Sequence, residues 1–527
     1  MKKALVIVAL IASATVVSPA QTTQTTQIVP APYFAMHFNH GTEHPLNQDL
    51  ETLSYGAFRL WDTNTRWEQI AGCDPGPTCD PETDSRWHWS SIDTLLNDMN
   101  QIPLNDVLYT FGGVPDYANG CNSSQQTCVY NGVTFGPGQT YYCGNTSRFG
   151  CVPPSDLPLN GGGLGDTHNM FWQHFVTALA KHVLGITTTT ACNGLGYLSC
   201  HAKIIYWDPM NEWDRNAQVR PTQTANETIY ATEAQMQRMT RDLHDIVTGI
   251  DNSEKVTTPS MAGPSLPVLQ GFLYCTGFPT NCNTNLLGTT PEQSISLVIS
   301  HDYASVAESV LETYNDYKGA LQQAEKNLPL WITEGSWGCD LTCQNSYLTD
   351  YDLQAAYVGR LYLLAWTAGF GRWYWYSADN LSNPPTSPPS GVGTLVGPNW
   401  NDNKFGPGLW WSGKAYNRVY GWMVGMTMTQ PCAETGTIYT CELTALATLA
   451  KSLAVWDTDS TNYSCSGAQN PMTHGKCNTH GYTTPAGYNA YETLDPADGI
   501  KCLSGGMTVP IGAKPILLIN SSTCPPQ

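Results

Sequence analysis

The chain reads Ile204-Ile205-Tyr206-Trp207-Asp208-Pro209-Met210-Asn211-Glu212-Trp213 shortly before its midpoint. The first four residues are apolar or aromatic, and the Asp-Pro pair after them is typical of a buried β-strand that ends in a turn. A second stretch repeats this arrangement, since Leu330-Trp331-Ile332-Thr333 runs into Glu334-Gly335. The sequence therefore predicts two buried strands that each deliver a glutamate just beyond their carboxyl end.

Similar strand-like runs recur along the chain, and helix-like segments separate them. The eight predicted strands are residues 34–38, 57–61, 107–111, 203–207, 255–259, 296–300, 329–333 and 372–376. Alternation of strand and helix implies a parallel sheet, because each crossover returns the chain to the same end. Eight repeats favour an α/β fold of the (β/α)8, or TIM-barrel, type. An open, doubly wound sheet is the alternative that periodicity alone leaves.

The two ends of the chain depart from this pattern. Residues 1–20 combine Lys2-Lys3, an apolar run and the small-x-small ending Ser18-Pro19-Ala20, as in a signal peptide. The Thr-, Gln- and Pro-rich residues 21–32 are predicted to be a flexible linker. We assign residues 33–425 to the catalytic barrel. Residues 426–527 contain alternating apolar runs and predict a small C-terminal β-sandwich domain.

The composition of the chain indicates the compartment in which the protein works and the classes of partner that it can bind. The 18 cysteines form nine couples of close sequence neighbours, which is typical of disulfide staples in an exported protein. Zinc binding is the competing interpretation, but the sequence contains no C-x-x-C pair. The formal net charge of −19 disfavours nucleic acid as a partner. After the signal peptide no segment is apolar enough to span a membrane. We expect a secreted monomer, extracellular or periplasmic.

The two glutamates are expected to meet. The carboxyl ends of all strands in a barrel face one mouth, so Glu212 and Glu334 belong to the same site. Glycoside hydrolysis needs two carboxyls beside the bond, about 5 to 5.5 Å apart when configuration is retained. Arg59 lies inside a strand pattern, where a charge is costly unless it is paired. We therefore expect Arg59 to pair with Glu334.

Other strand-end residues suit the binding of a sugar. Tyr303 is placed to donate a hydrogen bond to Glu334, and Asn211 to contact a sugar hydroxyl. Aromatic rings offer flat apolar faces to sugar rings. The further substrate-binding candidates are His301, Trp375, Trp337, Trp61 and His37. Each residue alone has a simpler explanation, because a lone glutamate is more often a cap or a rim charge and a tryptophan is more often core.

Together these motifs resemble the clan A glycoside hydrolases, which are retaining (β/α)8 enzymes. The resemblance rests on Asn211-Glu212 after strand four, His301-Asp302-Tyr303 after strand six, Thr333-Glu334-Gly335 after strand seven and Trp375 on strand eight. It implies that Glu212 is the acid/base, Glu334 the nucleophile, Asn211 the contact of the sugar 2-hydroxyl and Tyr303 the nucleophile's partner. Families 39 and 5 look closest, although Trp213 stands where those families commonly have proline.

The resulting expectation is a secreted retaining enzyme that cleaves β-glycosidic bonds in oligo- or polysaccharides, such as those of plant or microbial walls. Such an enzyme needs no cofactor and no metal. The sequence contains neither the zinc-binding motif H-E-x-x-H nor the serine-hydrolase motif G-x-S-x-G. Two alternatives stay open. One is an inactive, lectin-like barrel that binds carbohydrate, and the other is a transglycosylase that uses the same residues.

Overall fold

The computed structural model describes most of the chain. The described residues are 27–38, 53–100, 104, 106–121, 127–130, 133–135, 152–163, 165–185, 204–216, 231–263, 265–275, 286–288, 290–304, 306–323, 328–337, 350–379, 393, 395–397, 408–459, 465–466, 476–477, 479–503 and 508–525. The predicted signal peptide lies outside them. Within the described residues, no helix combines the length and the apolar character that crossing a membrane requires.

Eight parallel strands form the central sheet, and each overlaps one of the eight predicted strands. They are β1 (Phe34–Met36), β2 (Ala57–Leu60), β3 (Asp106–Thr110), β4 (Ile204–Asp208), β5 (Lys255–Val256), β6 (Val298–His301), β7 (Leu330–Gly335) and β8 (Arg372–Trp375). Nearly all of their residues are buried, as expected for strands with a core on both faces.

The sheet curls and closes on itself. β1 pairs with both β2 and β8, so the first and last strands are neighbours. The two remaining edges, β5 and β6, meet just beyond the ladder, where Thr257 and Leu297 form a parallel bridge. The backbone N–H of Thr258 donates to the Leu297 carbonyl at 3.0 Å. This closure confirms the barrel-like α/β fold and rules out the open sheet.

Helices surround the barrel. The longer ones are α1 (Ser90–Asn100), α2 (Met170–Gly185), α3 (Glu233–Ile250), α4 (Leu266–Tyr274), α5 (Val310–Gln323), α6 (Tyr351–Ala368) and α7 (Trp411–Met423), and short turns lie at Trp67–Ile70 and Asp116–Asn119. A capping box of Thr232 and Gln235 starts α3. Helix α6 is buried from Tyr351 to Thr367, because barrel, α7 and the C-terminal strands all pack on it.

A second buried arginine closes the lower end of the barrel. Arg372, the first residue of β8, binds both oxygens of Asp106 on β3, at 2.5 and 2.9 Å. Its guanidinium lies 4.0 Å from the ring centre of Trp331 and 5.1 Å from that of Tyr206. Aromatic faces stabilise a desolvated guanidinium. The barrel floor is therefore an ion pair enclosed by aromatic rings.

The C-terminal region is built from antiparallel strands, as predicted. They are β9 (Met426–Thr435), β10 (Ile438–Ala445), β11 (Lys451–Asp457), β12 (His480–Thr483), β13 (Ala490–Glu492), β14 (Lys501–Cys502), β15 (Thr508–Ile511) and β16 (Ile516–Ile519). Six form one sheet in the order β9-β10-β11-β16-β13-β14, and β12 pairs with β15. Apolar residues of β15 and of the six-stranded sheet share one core cluster. The description of this region as a sandwich stays a prediction.

The N-terminal approach to the barrel differs from the expected flexible linker. Ile28 forms an antiparallel bridge with Thr427 of β9, and the Val29 N–H donates to the Met426 carbonyl at 2.8 Å. Val29 is fully buried, and a short 3₁₀ turn, Ala31–Tyr33, follows. The last residues of the predicted linker are ordered because they pair with the C-terminal sheet.

Disulfides link neighbouring cysteines, as the sequence pattern predicted. Three of the nine expected pairs have both side chains in the described part of the chain, and each is bonded: Cys73–Cys79, Cys432–Cys441 and Cys502–Cys524. The other six couples each include a side chain that lies outside that part. Closing short loops restricts the unfolded chain, so these bonds stabilise the surface around the barrel and the C-terminal sheet.

Candidate active site

Glu334 lies at the end of β7, in the mouth formed by the carboxyl ends of the barrel strands. It is buried, with 5% of its surface exposed. Its Oε1 accepts a hydrogen bond from Arg59 Nη1 at 2.5 Å, and its Oε2 accepts one from the Tyr303 hydroxyl at 2.9 Å. The expected partners are both present. The carboxylate is therefore held in one orientation beside a positive charge.

Arg59 joins the two halves of the site. It is fully buried on β2 and donates to Glu334, to Asn211 Oδ1 at 2.6 Å and to Thr110 Oγ1 at 2.9 Å. Burial lowers the pKa of Arg59, but the charges of Glu334 and Asp208 outweigh burial and raise it above the ordinary value. The guanidinium therefore stays charged and fixes a planar network.

Asn211 owes its orientation to that network. A guanidinium only donates hydrogen bonds, so the atom of Asn211 that faces Arg59 must be the amide oxygen. The amide nitrogen of Asn211 is then left to donate elsewhere. This is the geometry that the predicted contact to a sugar hydroxyl requires.

Glu212 lies in the turn after β4, four residues beyond Asp208, and its side chain is partly exposed. Its Oε1 lies 3.0 Å from Nδ1 of His301, which is also 3.4 Å from Glu334 Oε2. One carboxylate oxygen of each glutamate and a ring nitrogen of His301 all lie within 4.8 Å of one another. The predicted pair thus meets in the structure, with His301 between the two carboxyls.

The same three residues have ligand types that a metal ion uses. The surrounding donors argue against that use. Both oxygens of Glu334 already receive hydrogen bonds, one from the Arg59 guanidinium and one from Tyr303. A metal cation at this point would be repelled by the nearby guanidinium charge. The donor set fits a pair of reacting carboxyls better than a metal centre.

Asp208 is a charged residue of the site that sequence reasoning missed. It is fully buried at the end of β4, where its Oδ2 lies 3.5 Å from Arg59 Nη2. Its Oδ1 accepts from the backbone N–H of Ser260 at 3.0 Å. Burial raises the pKa of Asp208 to about 6, although Arg59 and Ser260 oppose the shift. The burial of the tyrosine hydroxyl likewise raises the pKa of Tyr303, which keeps it a hydrogen-bond donor.

His37 lies close to Tyr376 and Asp62, two residues that the sequence did not single out. The ring of Tyr376 is 4.6 Å from His37 and 6.1 Å from Tyr303. Its hydroxyl donates to Asp62 Oδ2 at 3.0 Å. Asp62 also accepts from Arg66 at 2.6 Å. These side chains extend the polar lining of the mouth beyond the carboxyl pair.

The three predicted tryptophans are not brought to the carboxyl pair in the same way. Trp375 and Trp337 are fully buried, with ring centres 5.2 Å apart, and Trp375 also packs on Tyr362 of α6. Trp61 is 6% exposed, and the Arg66 guanidinium covers its ring at 4.6 Å. These rings lie in the core around the mouth. Tyr376, next to Trp375, contacts His37 and Tyr303 instead.

Comparisons with known proteins add to this geometry. A scan against models of protein families and a search of curated sequences find no match. Among solved structures, a glucosidase from Croceicoccus marinus is similar, with a TM-score of 0.54 and 12% identity over 95% of this chain and 98% of its own. A conserved exported protein from Bacteroides fragilis gives 0.53 and 12% over 94% and 98%.

A third similar structure is an alpha-L-arabinofuranosidase from Thermotoga maritima, solved with arabinose. Its TM-score is 0.50 and its identity 8%, over 94% of this chain and 98% of its own. At such low identity, structural similarity establishes the fold and leaves chemistry to the site itself. Along almost its whole length, this chain has the fold of those two glycosidases and of the exported protein.

Proposed function

We propose that the protein is a secreted, retaining glycoside hydrolase with Glu212 as general acid/base and Glu334 as nucleophile. The observation that carries this proposal is the carboxyl pair, whose oxygens lie within 4.8 Å of each other across the barrel mouth. Retaining enzymes hold their carboxyls about 5 to 5.5 Å apart, whereas inverting enzymes leave about 6.5 to 9.5 Å for a water molecule. The short separation supports retention.

The environments of the two carboxyls support different roles. Glu334 is almost fully buried and is fixed by Arg59 and Tyr303, which suits an anionic nucleophile that must hold one position. Glu212 is more exposed and contacts His301. Two negative charges this close repel each other, which favours a proton on Glu212 while Glu334 is charged.

In the first step, Glu334 attacks the anomeric carbon of the sugar while Glu212 donates its proton to the departing glycosidic oxygen. A covalent glycosyl ester on Glu334 results, and the negative charge of Glu334 is lost. Glu212, now a carboxylate, takes a proton from water, which attacks the anomeric carbon and releases the sugar. Each of the two displacements inverts the anomeric carbon, so two inversions leave the configuration of the sugar unchanged overall.

The substrate we propose is a β-linked oligo- or polysaccharide, such as plant or microbial wall material. Asn211 is oriented to donate to a sugar hydroxyl, and Tyr376, His37 and Asp62 offer further polar contacts. The glycosidases of similar fold favour carbohydrate by analogy only. Trp375, Trp337 and Trp61 contribute as the packed support of this lining.

Secretion and a monomeric state complete the proposal. The three disulfides fit an oxidising compartment, and the N-terminal pattern fits export. Two alternatives keep the same site. A lectin-like barrel binds sugar without turnover, and a transglycosylase passes the sugar from Glu334 to an acceptor sugar instead of water.

The test is hydrolysis of a panel of aryl β-glycosides and wall polysaccharides, followed by proton NMR of the first-formed anomer. A first-formed β-anomer from a β-substrate is the expected result. An α-anomer would overturn the double-displacement mechanism. Saturable binding without turnover would support the lectin-like barrel, and longer products formed at the expense of free sugar would support transglycosylation.

A further inference from the structure

The backbone at Glu212 has a conformation that most residues avoid. Its φ is +44°, in the left-handed region that side chains with a Cβ adopt rarely. Such a conformation persists only where neighbouring contacts hold it. Because the direction of the Glu212 side chain depends on this backbone angle, whatever holds the turn also sets where the carboxyl lies relative to Glu334.

Ser260 makes several of the contacts that hold this turn, and the Phe111 carbonyl, which accepts from the Asn211 N–H at 3.0 Å, makes another. It follows β5, is fully buried and receives the Glu212 N–H on its hydroxyl oxygen at 3.3 Å. The same hydroxyl lies 3.3 Å from the Met210 carbonyl and 3.4 Å from Asn211 Oδ1. One hydroxyl donates a single proton and accepts from others, so it links Glu212 to one of these two oxygens at a time.

The backbone of Ser260 is fixed independently of its hydroxyl. Its N–H donates to the Met210 carbonyl and to Asp208 Oδ1, both at 3.0 Å. Asp208 also accepts from the Met210 N–H at 3.3 Å and approaches Arg59 at 3.5 Å. Removing the hydroxyl therefore leaves Ser260 attached to Met210 and Asp208 through its backbone, and it takes away the hydrogen bond to the Glu212 N–H and the hydroxyl contacts with Met210 and Asn211.

We propose that Ser260 is a positioning residue for the acid/base Glu212, whose backbone it fixes through its hydroxyl so that the carboxyl faces the glycosidic oxygen. This inference rests on the proposed function. Ser260 touches no reacting atom and acts only through the turn. It therefore supports the steps in which Glu212 moves a proton, and it leaves the attack by Glu334 unaffected.

The experiment compares Ser260→Ala with the wild type on two substrates, the phenyl and the 2,4-dinitrophenyl glycoside of the sugar that the wild type hydrolyses. Phenolate is a poor leaving group that needs a proton, and dinitrophenolate leaves without one. The matched control is Ser294→Ala, which removes a hydroxyl that is equally buried, donates to the Leu287 carbonyl at 2.8 Å and accepts from Arg241 at 3.3 Å, outside the site.

We expect Ser260→Ala to lower kcat/KM for the phenyl glycoside by about tenfold or more, a part of the roughly 10²- to 10⁴-fold that a general acid supplies. Glycosylation by the dinitrophenyl glycoside, followed as the burst of dinitrophenolate, should change less than about threefold, because that step needs no general acid. Added azide, a nucleophile that needs no base, should speed the release of the sugar from the variant.

An equal loss on both substrates, with no response to azide, would overturn the positioning role, as would unchanged activity on the phenyl glycoside. Urea unfolding of both serine variants measures how much each hydroxyl contributes to stability. A variant that merely folds poorly contains less active enzyme, so it loses the same fraction of its rate on both substrates. A wild type that turns over no glycoside would instead remove the proposed function itself.

Discussion

Two buried arginines, Arg59 and Arg372, lie on strands of the barrel, and their surroundings differ. Arg372 lies at the start of β8 on the barrel floor, where it binds one carboxylate, Asp106, and is enclosed by aromatic rings. Arg59 lies near the end of β2 in the mouth, where it contacts two carboxylates and an amide, those of Glu334, Asp208 and Asn211. Both are fully charged groups taken out of water.

Under the proposed function, the difference separates a structural ion pair from a catalytic one. On the floor, the Arg372 guanidinium donates to Asp106 and to the Tyr374 hydroxyl, and aromatic rings enclose it. In the mouth, Arg59 holds Glu334 against a second carboxyl, Glu212, that is partly exposed to solvent. Burial and pairing alone therefore do not identify a catalytic arginine. The features that distinguish Arg59 from Arg372 are the number of acidic groups around the guanidinium and the position of the arginine along its strand.

The largest expected effect is on the nucleophile. Glu334→Gln keeps the shape of the side chain but removes its negative charge, so kcat/KM should fall roughly 10⁴-fold or more. Steady-state kinetics on the substrate found in the panel measures the loss. Glu308→Gln is the matched control, because it changes a glutamate paired with the buried Arg360 at 3.0 Å, outside the site. Similar losses in both variants would contradict the assignment.

The second effect sharpens the contrast between the arginines. Arg59→Lys retains the charge but cannot reproduce the fork that reaches Glu334, Asn211 and Thr110 at once, so kcat/KM should fall on the order of 10²-fold. Arg360→Lys, at a buried arginine on α6, should leave kcat/KM unchanged. Full activity of Arg59→Lys would mean that the planar network has no catalytic role.

The third effect concerns the floor and should appear in stability rather than in turnover. Arg372→Met leaves Asp106 buried without its partner, which should lower the free energy of unfolding by about 3 to 5 kcal/mol. The kcat/KM of the folded fraction should stay within about twofold of the wild type. Urea unfolding and active-site titration measure the two quantities. Adding Asp106→Leu should recover part of the stability, and a selective loss of turnover would contradict the separation of floor from mouth.

The smallest effect is a pH dependence at a buried carboxyl whose hydrogen-bond partner is an indole. Glu254 accepts from Trp207 Nε1 at 2.5 Å, and burial raises its pKa from 4.5 to about 7. Between these values the folded protein binds more protons than the unfolded chain, so this group lowers stability as pH rises from about 4.5 to 7. A shift of this size corresponds to roughly 3 kcal/mol.

Glu254→Gln should remove that part of the pH dependence. Urea unfolding at pH 4.5 and at pH 7.5 should give a smaller difference for the variant than for the wild type. Glu312→Gln changes an exposed glutamate and serves as the control. An unchanged pH difference in Glu254→Gln would mean that the carboxyl ionises in the folded protein as it does in the unfolded chain.

Most of the fold was predictable because its strands are buried on both faces. Such strands appear in the sequence as short continuous apolar runs, and the residues directly after them are placed at the mouth by topology alone. This is why Glu212, Glu334, Arg59, Tyr303 and His301 could be placed at one mouth from the sequence, while their catalytic roles stay predictions. Their mutual contacts follow from barrel geometry and from the need of a buried charge for a partner.

The aromatic residue on β8 was harder to choose, because alternate strand residues point to opposite faces and a one-residue shift exchanges them. The alternation along β8 is regular, because the irregularity in the β7–β8 pairing places its extra residue on β7, between Ile332 and Gly335. Trp373 and Trp375 therefore share one face and join the main core, whereas Tyr374 belongs to the separate cluster with Ala35, Ala57 and Leu108. The sequence does not say which of the two faces lines the mouth, so the wrong neighbour was chosen.

Asp208, Ser260 and Asp62 were missed for another reason. Each is a common polar residue whose role depends on a contact with a distant segment, such as the hydrogen bond between Ser260 N–H and Asp208. The ordered residues before β1 follow the same rule, because Val29 pairs with Met426 near the other end of the chain. Local patterns carry no information about such pairings.

The proposed mechanism requires a covalent bond between Glu334 and the sugar, and trapping tests for that bond directly. The wild type is incubated with the 2-deoxy-2-fluoro, 2,4-dinitrophenyl glycoside of its sugar, digested with a protease and analysed by peptide mass spectrometry. We expect one added fluorosugar, located on Glu334 within Leu330–Gly335. A label on Glu212, or fast turnover with inverted product and no label, would contradict it.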